Sequence, residues 1–248
     1  MESTNKTLQK KFHDFANKKL AEKETRKTRK KAPRNSKEPL KPRYHEDNTE
    51  LLECGIDEAG RGPLFGRVYA ACVILPLNGF DHSKIKDSKR FSSKKKLIEV
   101  YDYIIENAVD YSVSYNDESV IDDINIRQAT LSCMHDAIDR IGIKPDFLLV
   151  DGCDFKPYKD IPYKTIEGGD NWYTPIAAAS ILAKVERDKY IEQLCEEHPE
   201  LDEKYGLVKN KGYGTKQHLD GIKEHGISIW HRRTFGICRR FSGLDKEE

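Results

Sequence analysis

The sequence has no run of about 18 apolar residues, which excludes a membrane-spanning helix by length alone. The opening MESTNKTLQKKF has no apolar stretch of the kind a secretory signal needs. Six cysteines (Cys54, Cys72, Cys133, Cys153, Cys195 and Cys238) are scattered without a C-x-x-C pair. That speaks against a zinc site or a disulfide framework and suits a reducing interior. An intracellular, cytoplasmic protein is expected. No Gly-Lys-Ser/Thr follows the glycine-rich stretch EAGRGPLFG, so a nucleotide phosphate loop is disfavoured. No serine or histidine stands in a convincing nucleophile arrangement, and no internal repeat is present.

Net charge is also nearly absent, at +1, but that figure hides an asymmetry. From Met1 to Arg43 there are 15 lysines and arginines against 5 acids, leaving 28 bases and 37 acids in the rest. A basic arm on an acidic body suggests a polyanionic partner, nucleic acid first. RKTRKKAPR would equally serve as a solubilising tail or a nuclear localisation signal.

Residues 1–49 read as a Lys-rich, disordered arm, with a short transient helix near Leu8 to Leu20. The folded part is expected from Leu51. LLECGID and VYAACVILP are short apolar runs that read as adjacent strands. Ser92 or Ser93 is placed to cap KKKLIEVYDYIIENA, with Leu97, Tyr101, Ile104 and Ile105 on one face. VDYSVSYN alternates as a strand does, and a single helix is expected from about Glu118 to Ile141. DFLLVDG and KTIEGGD are two further strands. Thr174-Pro175 reads as a cap and first turn opening a long helix to about Glu197. Two or three short helices are expected after His198. The order predicts an α/β fold, a mixed sheet covered by helices. A catalytic core over 50–198 and a helical C-terminal part over 199–248 are expected.

What the sequence does carry is acid at strand ends. Asp57 closes one strand run and Asp151 another, and functional groups in open α/β sheets gather at neighbouring strand ends. Asp188 follows Lys184 by one turn on a helix whose AAAS run permits close packing on the sheet. Several carboxylates in one crevice need a cation between them, and Mg²⁺ or Mn²⁺ prefers oxygen ligands. Two such ions would clamp an in-line phosphoryl displacement. A strand-end Asp is also an ordinary turn former or cap, the reading assigned to Asp87, Asp122, Asp123 and Asp170.

GIDEAGRGPLFG, DSK at Asp87 to Lys89, LLVDG, AAASILAKVERD, KGYGTKQH and HRRTF, in that order, resemble the ribonuclease HII family. The resemblance covers Cys54 to Phe241. It implies a ribonuclease-H-like mixed sheet flanked by helices, with a small helical C-terminal part. It implies hydrolysis of the RNA strand of RNA–DNA hybrids. It also implies nicking of duplex DNA 5′ of embedded ribonucleotides, by two Mg²⁺ or Mn²⁺ ions held by Asp57, Glu58, Asp151 and Asp188. The same resemblance gives Gly60-Arg61-Gly62 a role in sensing the ribose 2′-hydroxyl, and Tyr213 a stacking role on the adjoining sugar. Lys89, Ser180, Lys184 and Arg187 fit phosphate-contacting or acid-supporting positions. His231, Arg232 and Arg233 either touch the nucleic-acid backbone or stabilise the terminal helix. Arg90-Phe91 departs from the leucine common in the family after DSK-K. The motifs fit the bacterial-type single chain, acting as a monomer on RNA–DNA hybrid or ribonucleotide-containing duplex. The rival is a non-catalytic nucleic-acid-binding protein on a nuclease-like fold.

Overall fold

The computed structural model describes residues 38–244, apart from the Lys89 side chain. The helix expected near Leu8 to Leu20 and most of the basic arm lie outside the described residues. The two apolar runs after Leu51 form β1 (Glu53–Ala59) and β2 (Val68–Ile74), paired antiparallel with Ile56 opposite Cys72. β3 (Asp110–Asn116) joins the free side of β2, antiparallel. β4 (Phe147–Asp151) lies parallel to β1, and β5 (Tyr163–Ile166) parallel to β4. The sheet order is β3-β2-β1-β4-β5, so the predicted mixed sheet is present with β1 at its centre.

Strand side chains alternate between two faces. Ala71 and Val73 pack toward α1 (Lys94–Asn107) and α3 (Thr174–Glu197). Cys54, Ile56, Ala70, Cys72, Ile74, Leu148 and Val150 pack on the other face, against α2 (Glu118–Arg140). α1 starts where Ser93 accepts a hydrogen bond from the Lys96 N–H at 3.3 Å, and it buries Leu97, Tyr101 and Ile104; Ile105 is only partly buried. Five of the cysteines are buried and only Cys153 is exposed, all as free thiols.

Three local expectations need correction. The single helix read from Glu118 is interrupted at Asn125, whose φ is +65°. Its side-chain oxygen accepts from the N–H groups of Arg127 and Gln128, so Asn125 caps a fresh helical start. At the start of α3 the cap position belongs to Tyr173, without a side-chain bond. Thr174 is already helical and its hydroxyl donates to the Lys41 carbonyl at 3.1 Å. The arm was expected to run to residue 49, yet its described part is tied to the body. Lys41 N–H donates to Trp172 O, and Glu53 accepts from the N–H groups of Tyr44 and His45.

α3 lies unusually close to β1. A side chain at Gly55 would stand 2.1 Å from the Pro175 carbonyl carbon, so glycine there is what permits the approach. Ala177, Ala178 and Ala179 are fully buried at that contact. Among the described residues beyond α3 come four short helices, one more than the sequence suggested: α4 (Pro199–Tyr205), α5 (Leu207–Asn210), α6 (Lys216–His225) and α7 (Cys238–Phe241). They pack on the second half of α3 through Ile191, Leu194, Leu201, Leu207 and Ile222, with Phe65 from the β1–β2 connection.

Candidate active site

β1 and β4 run side by side in register, with Ile56 beside Val150. One residue on come Asp57, which stands two residues inside the end of β1 rather than closing it as the sequence suggested, and Asp151, the last residue of β4. By strand alternation both point to the face covered by α3, opposite to Ile56 and Val150. A cavity of about 390 Å³ opens there. Its walls include Asp57, Glu58, Asp151, Asp170, Ser180 and Asp188, together with Gly60-Arg61-Gly62, Lys184, Arg187 and Tyr213. The four acids named from the sequence therefore line one space.

The acids are held in different ways. Asp57 is only 5% exposed. It accepts from the Glu58 N–H at 2.7 Å and from the Ser180 hydroxyl, brought over by the close approach of α3. Burial, then the charges of Asp151 and Glu58, hold its carboxyl well above the usual carboxylate range. Asp151 accepts from the Gly169 N–H at 2.6 Å. Burial first, then Asp170 and Glu58, push its carboxyl up to about 7. Glu58 sits 3.2 Å from the Arg61 guanidinium, and Asp188 accepts from Lys184 Nζ at 2.9 Å along α3.

The donor set is all oxygen, and its innermost members repel one another in a desolvated place. A hard divalent cation is the partner that chemistry fits. As they stand, no three His, Cys, Asp or Glu side chains among the described residues converge tightly enough to hold one. Glu58 and Asp188 would have to turn from Arg61 and Lys184 to complete such a shell.

Asp170, read from the sequence as a turn former, sits in this cavity on the short 3-10 turn Gly169–Asn171, 7% exposed, and contributes to the raised carboxyls of both Asp57 and Asp151. Like Asp151, it lies near the end of a strand run, here in the turn that follows β5. Asp122 is structural, but not as the expected turn former or cap of its own segment: it lies within α2 and accepts from Arg233 N–H, Thr234 N–H and the Thr234 hydroxyl. Ser88 lines the cavity beside Lys89, whose side chain lies outside the described residues.

Arg187 lines the cavity, with its guanidinium turned to the main chain. It is 2% exposed and donates to the carbonyls of Phe65, Arg67 and Lys211. It also fills the space beside Gly60, whose φ of +95° would strain any side chain. Tyr213 is half exposed, its ring 5.9 Å from the Arg187 guanidinium carbon and beside Gly62. Of the HRRTF residues, His231 and Arg232 are fully buried. Neither touches the surface a nucleic acid would follow, nor is either simply a clamp on the terminal helix. His231 Nε2 meets His218 Nε2 at 3.0 Å, and His218 Nδ1 meets the Tyr213 carbonyl at 3.0 Å. Arg233 bonds the Ser242 carbonyl and so serves the C-terminal segment.

The fold is that of the ribonucleases H. The crystal structure of ribonuclease H2 from Pyrococcus horikoshii superposes with a TM-score of 0.66 at 23% identity, over 80% of this chain and 100% of that one. A ribonuclease HII from Archaeoglobus fulgidus, solved in complex with PCNA, superposes with a TM-score of 0.62 at 25% identity, over 75% of this chain and 96% of that one.

Sequence comparison narrows the class. The family model for ribonuclease HII matches residues 54–238. Ribonuclease HII of Bacteroides thetaiotaomicron is 45% identical over 190 residues, 77% of this chain and 92% of that protein. The Syntrophus aciditrophicus enzyme is 44% identical over 193 residues, 78% of this chain and 87% of its own length. The chain belongs to the ribonuclease HII family and is a ribonuclease, a metal-dependent hydrolase of that family's kind.

Proposed function

We propose that the chain hydrolyses the RNA strand of RNA–DNA hybrids and nicks duplex DNA on the 5′ side of single embedded ribonucleotides. The products are a 5′-phosphate and a 3′-hydroxyl. The observation that carries this reading is the pairing, in one cavity, of desolvated acids at Asp57 and Asp151 with the Gly60-Arg61-Gly62 loop and the Tyr213 ring. The acids are suited to phosphodiester chemistry, and the loop and ring to the sugar that identifies RNA.

Two Mg²⁺ or Mn²⁺ ions, when bound, activate water and stabilise the departing oxygen in sites of this kind. Asp57, Glu58, Asp151 and Asp188 are the residues that would hold them. Ser180 keeps the Asp57 carboxyl oriented. As Glu58 and Asp188 turn inward, Arg61 and Lys184 are released toward the phosphates of the substrate, with Lys89 serving the same end. Tyr213 stacks on the sugar 3′ of the ribonucleotide. The core over 50–198 supplies the chemistry, and residues 199–248 complete the substrate surface. The enzyme acts as a monomer in the cytoplasm. No described helix is long and apolar enough to cross a membrane.

The deciding assay offers a duplex with one ribonucleotide, in Mg²⁺, Mn²⁺ or chelator. Cleavage 5′ of the ribonucleotide with either ion and none with chelator is expected. Cleavage that survives chelation, or none under any condition, overturns the reading.

A further inference from the structure

The loop joining β1 to β2 is held from inside the protein chiefly by the guanidinium of Arg232, with that of Arg187 beside it. Arg232 is completely buried. Its Nε donates to Gly66 O at 2.8 Å, and Nη1 to Arg61 O at 3.1 Å and Pro63 O at 2.9 Å. Its Nη2 donates to Gly60 O at 2.6 Å and Arg67 O at 3.2 Å. A guanidinium has five N–H groups in a rigid plane, and here each has a different carbonyl of one loop. The Arg232 main-chain N–H also takes Leu64 O, and Arg187 takes Phe65 O. Carbonyls on both sides of Gly62 are thus turned into the protein.

On the donor side, the N–H groups of Leu64 and Gly66 go to Gly212 O and Trp230 O, and Pro63 has none. Among the described residues, no internal acceptor meets the N–H of Arg61 or Gly62, and no internal donor meets the Gly62 carbonyl. What remains at the cavity wall is a short edge with donors and one acceptor. A hydroxyl, which both accepts and donates, fits such an edge, and a C–H in its place leaves the edge unpaired.

We propose that Arg232 is the positioning residue for ribonucleotide discrimination: by drawing in the carbonyls around Gly62 it turns the remaining main-chain edge toward the ribose 2′-hydroxyl. This rests on the functional reading above. Lysine cannot substitute, since its three donors radiate from one nitrogen and cannot span five carbonyls.

The test compares binding, in Ca²⁺ to prevent turnover, of two duplexes that differ only in one 2′-hydroxyl. The wild type is expected to favour the ribonucleotide duplex. Arg232→Lys is expected to lower that preference about 10- to 100-fold, the scale on which a displaced positioning group acts. Its affinity for the all-DNA duplex, carried by surface phosphate contacts, is expected to stay within about twofold. A folded Arg232→Lys protein with undiminished preference overturns the proposal, as does an equal loss of affinity for both duplexes. If Arg232→Lys does not fold, Gly62→Pro, which deletes one of the exposed N–H groups at the surface, is compared with Gly62→Ala. Loss of preference in the proline variant alone supports the proposal, and equal preference in both overturns it. A wild type that shows no preference at all removes the functional reading itself.

Discussion

Asp57 and Asp151 stand beside each other on neighbouring parallel strands and face the same helix, so a buried and a partly buried carboxylate repel each other there. Such a pair is costly to a fold and useful to a site that must attract cations.

Neutralising one member should therefore separate stability from activity. Asp57→Asn or Asp151→Asn is expected to lower cleavage of a single-ribonucleotide duplex by at least about 10³-fold, in line with losing a transition-state charge partner. Binding of the same duplex should persist. In chelator the variant should melt higher than the wild type, by about 1 kcal/mol, as is common when an active-site strain is removed. Gel-based cleavage and thermal melts on the same preparations check both halves.

The Asp151 carboxyl, pushed up to about 7, has a definite pH signature. Its unfolded value lies near the ordinary carboxylate range, so between roughly pH 4 and 7 the folded state holds the extra proton. Stability of the metal-free protein should then fall as pH rises through that window and level off above it, with a slope no steeper than about 1.4 kcal/mol per pH unit. Asp151→Asn should flatten that segment. Saturating Mg²⁺, by favouring the ionised carboxyl, should flatten it as well. Chemical denaturation at several pH values, with and without the ion, measures this.

Tyr213 bears on catalysis more than on folding, because half of it is in solvent. Tyr213→Ala is expected to reduce kcat/KM on the single-ribonucleotide duplex about 100-fold, the loss of a stacking contact worth about 1–3 kcal/mol. The melting temperature should change little. Tyr213→Phe keeps the ring and should retain most of the activity. Steady-state kinetics on the three proteins decide it.

Gly55 is a purely structural test of how the site is assembled. A Cβ there would lie 2.1 Å from the Pro175 carbonyl carbon and 2.5 Å from the Ile176 nitrogen, both main chain and unable to swing aside. Gly55→Ala is expected to cost at least about 3 kcal/mol, the range of overpacked cores. If it folds, Ser180 and Asp188 move away from Asp57, and activity should drop with no change at the acids themselves. Urea denaturation and a cleavage assay report the two effects.

Much of this was legible in the chain itself. The apolar run VYAACVI, the alternation in VDYSVSYN and the serine before KKKLIEVY were enough for two strands and a capped helix, because these signals are local. The strand-end position of Asp151 was visible for the same reason, whereas β1 continues past Asp57 to Ala59. Asn125 was missed because helical periodicity continues across it, while the break lies in one backbone angle. Asp170 was set aside because a strand-end acid reads alike whether it caps a turn or faces a cavity. For Arg232 two readings were open, contact with the nucleic-acid backbone or support of the terminal helix, and its inward role was in neither because the sequence does not record burial.

The order of apolar and polar residues by itself determined the strands and the main helices, and it marked Asp57 and Asp151 as acids late in two strand runs. Tertiary structure alone decided that β1 and β4 are neighbours, that a glycine lets α3 carry Ser180 to Asp57, and that Arg232 turns inward to hold a loop 165 to 172 residues away in the chain. The physical reason is range: periodicity and capping act within a few residues, whereas carboxylate repulsion and the filling of five carbonyls by one guanidinium depend on groups that only folding brings together.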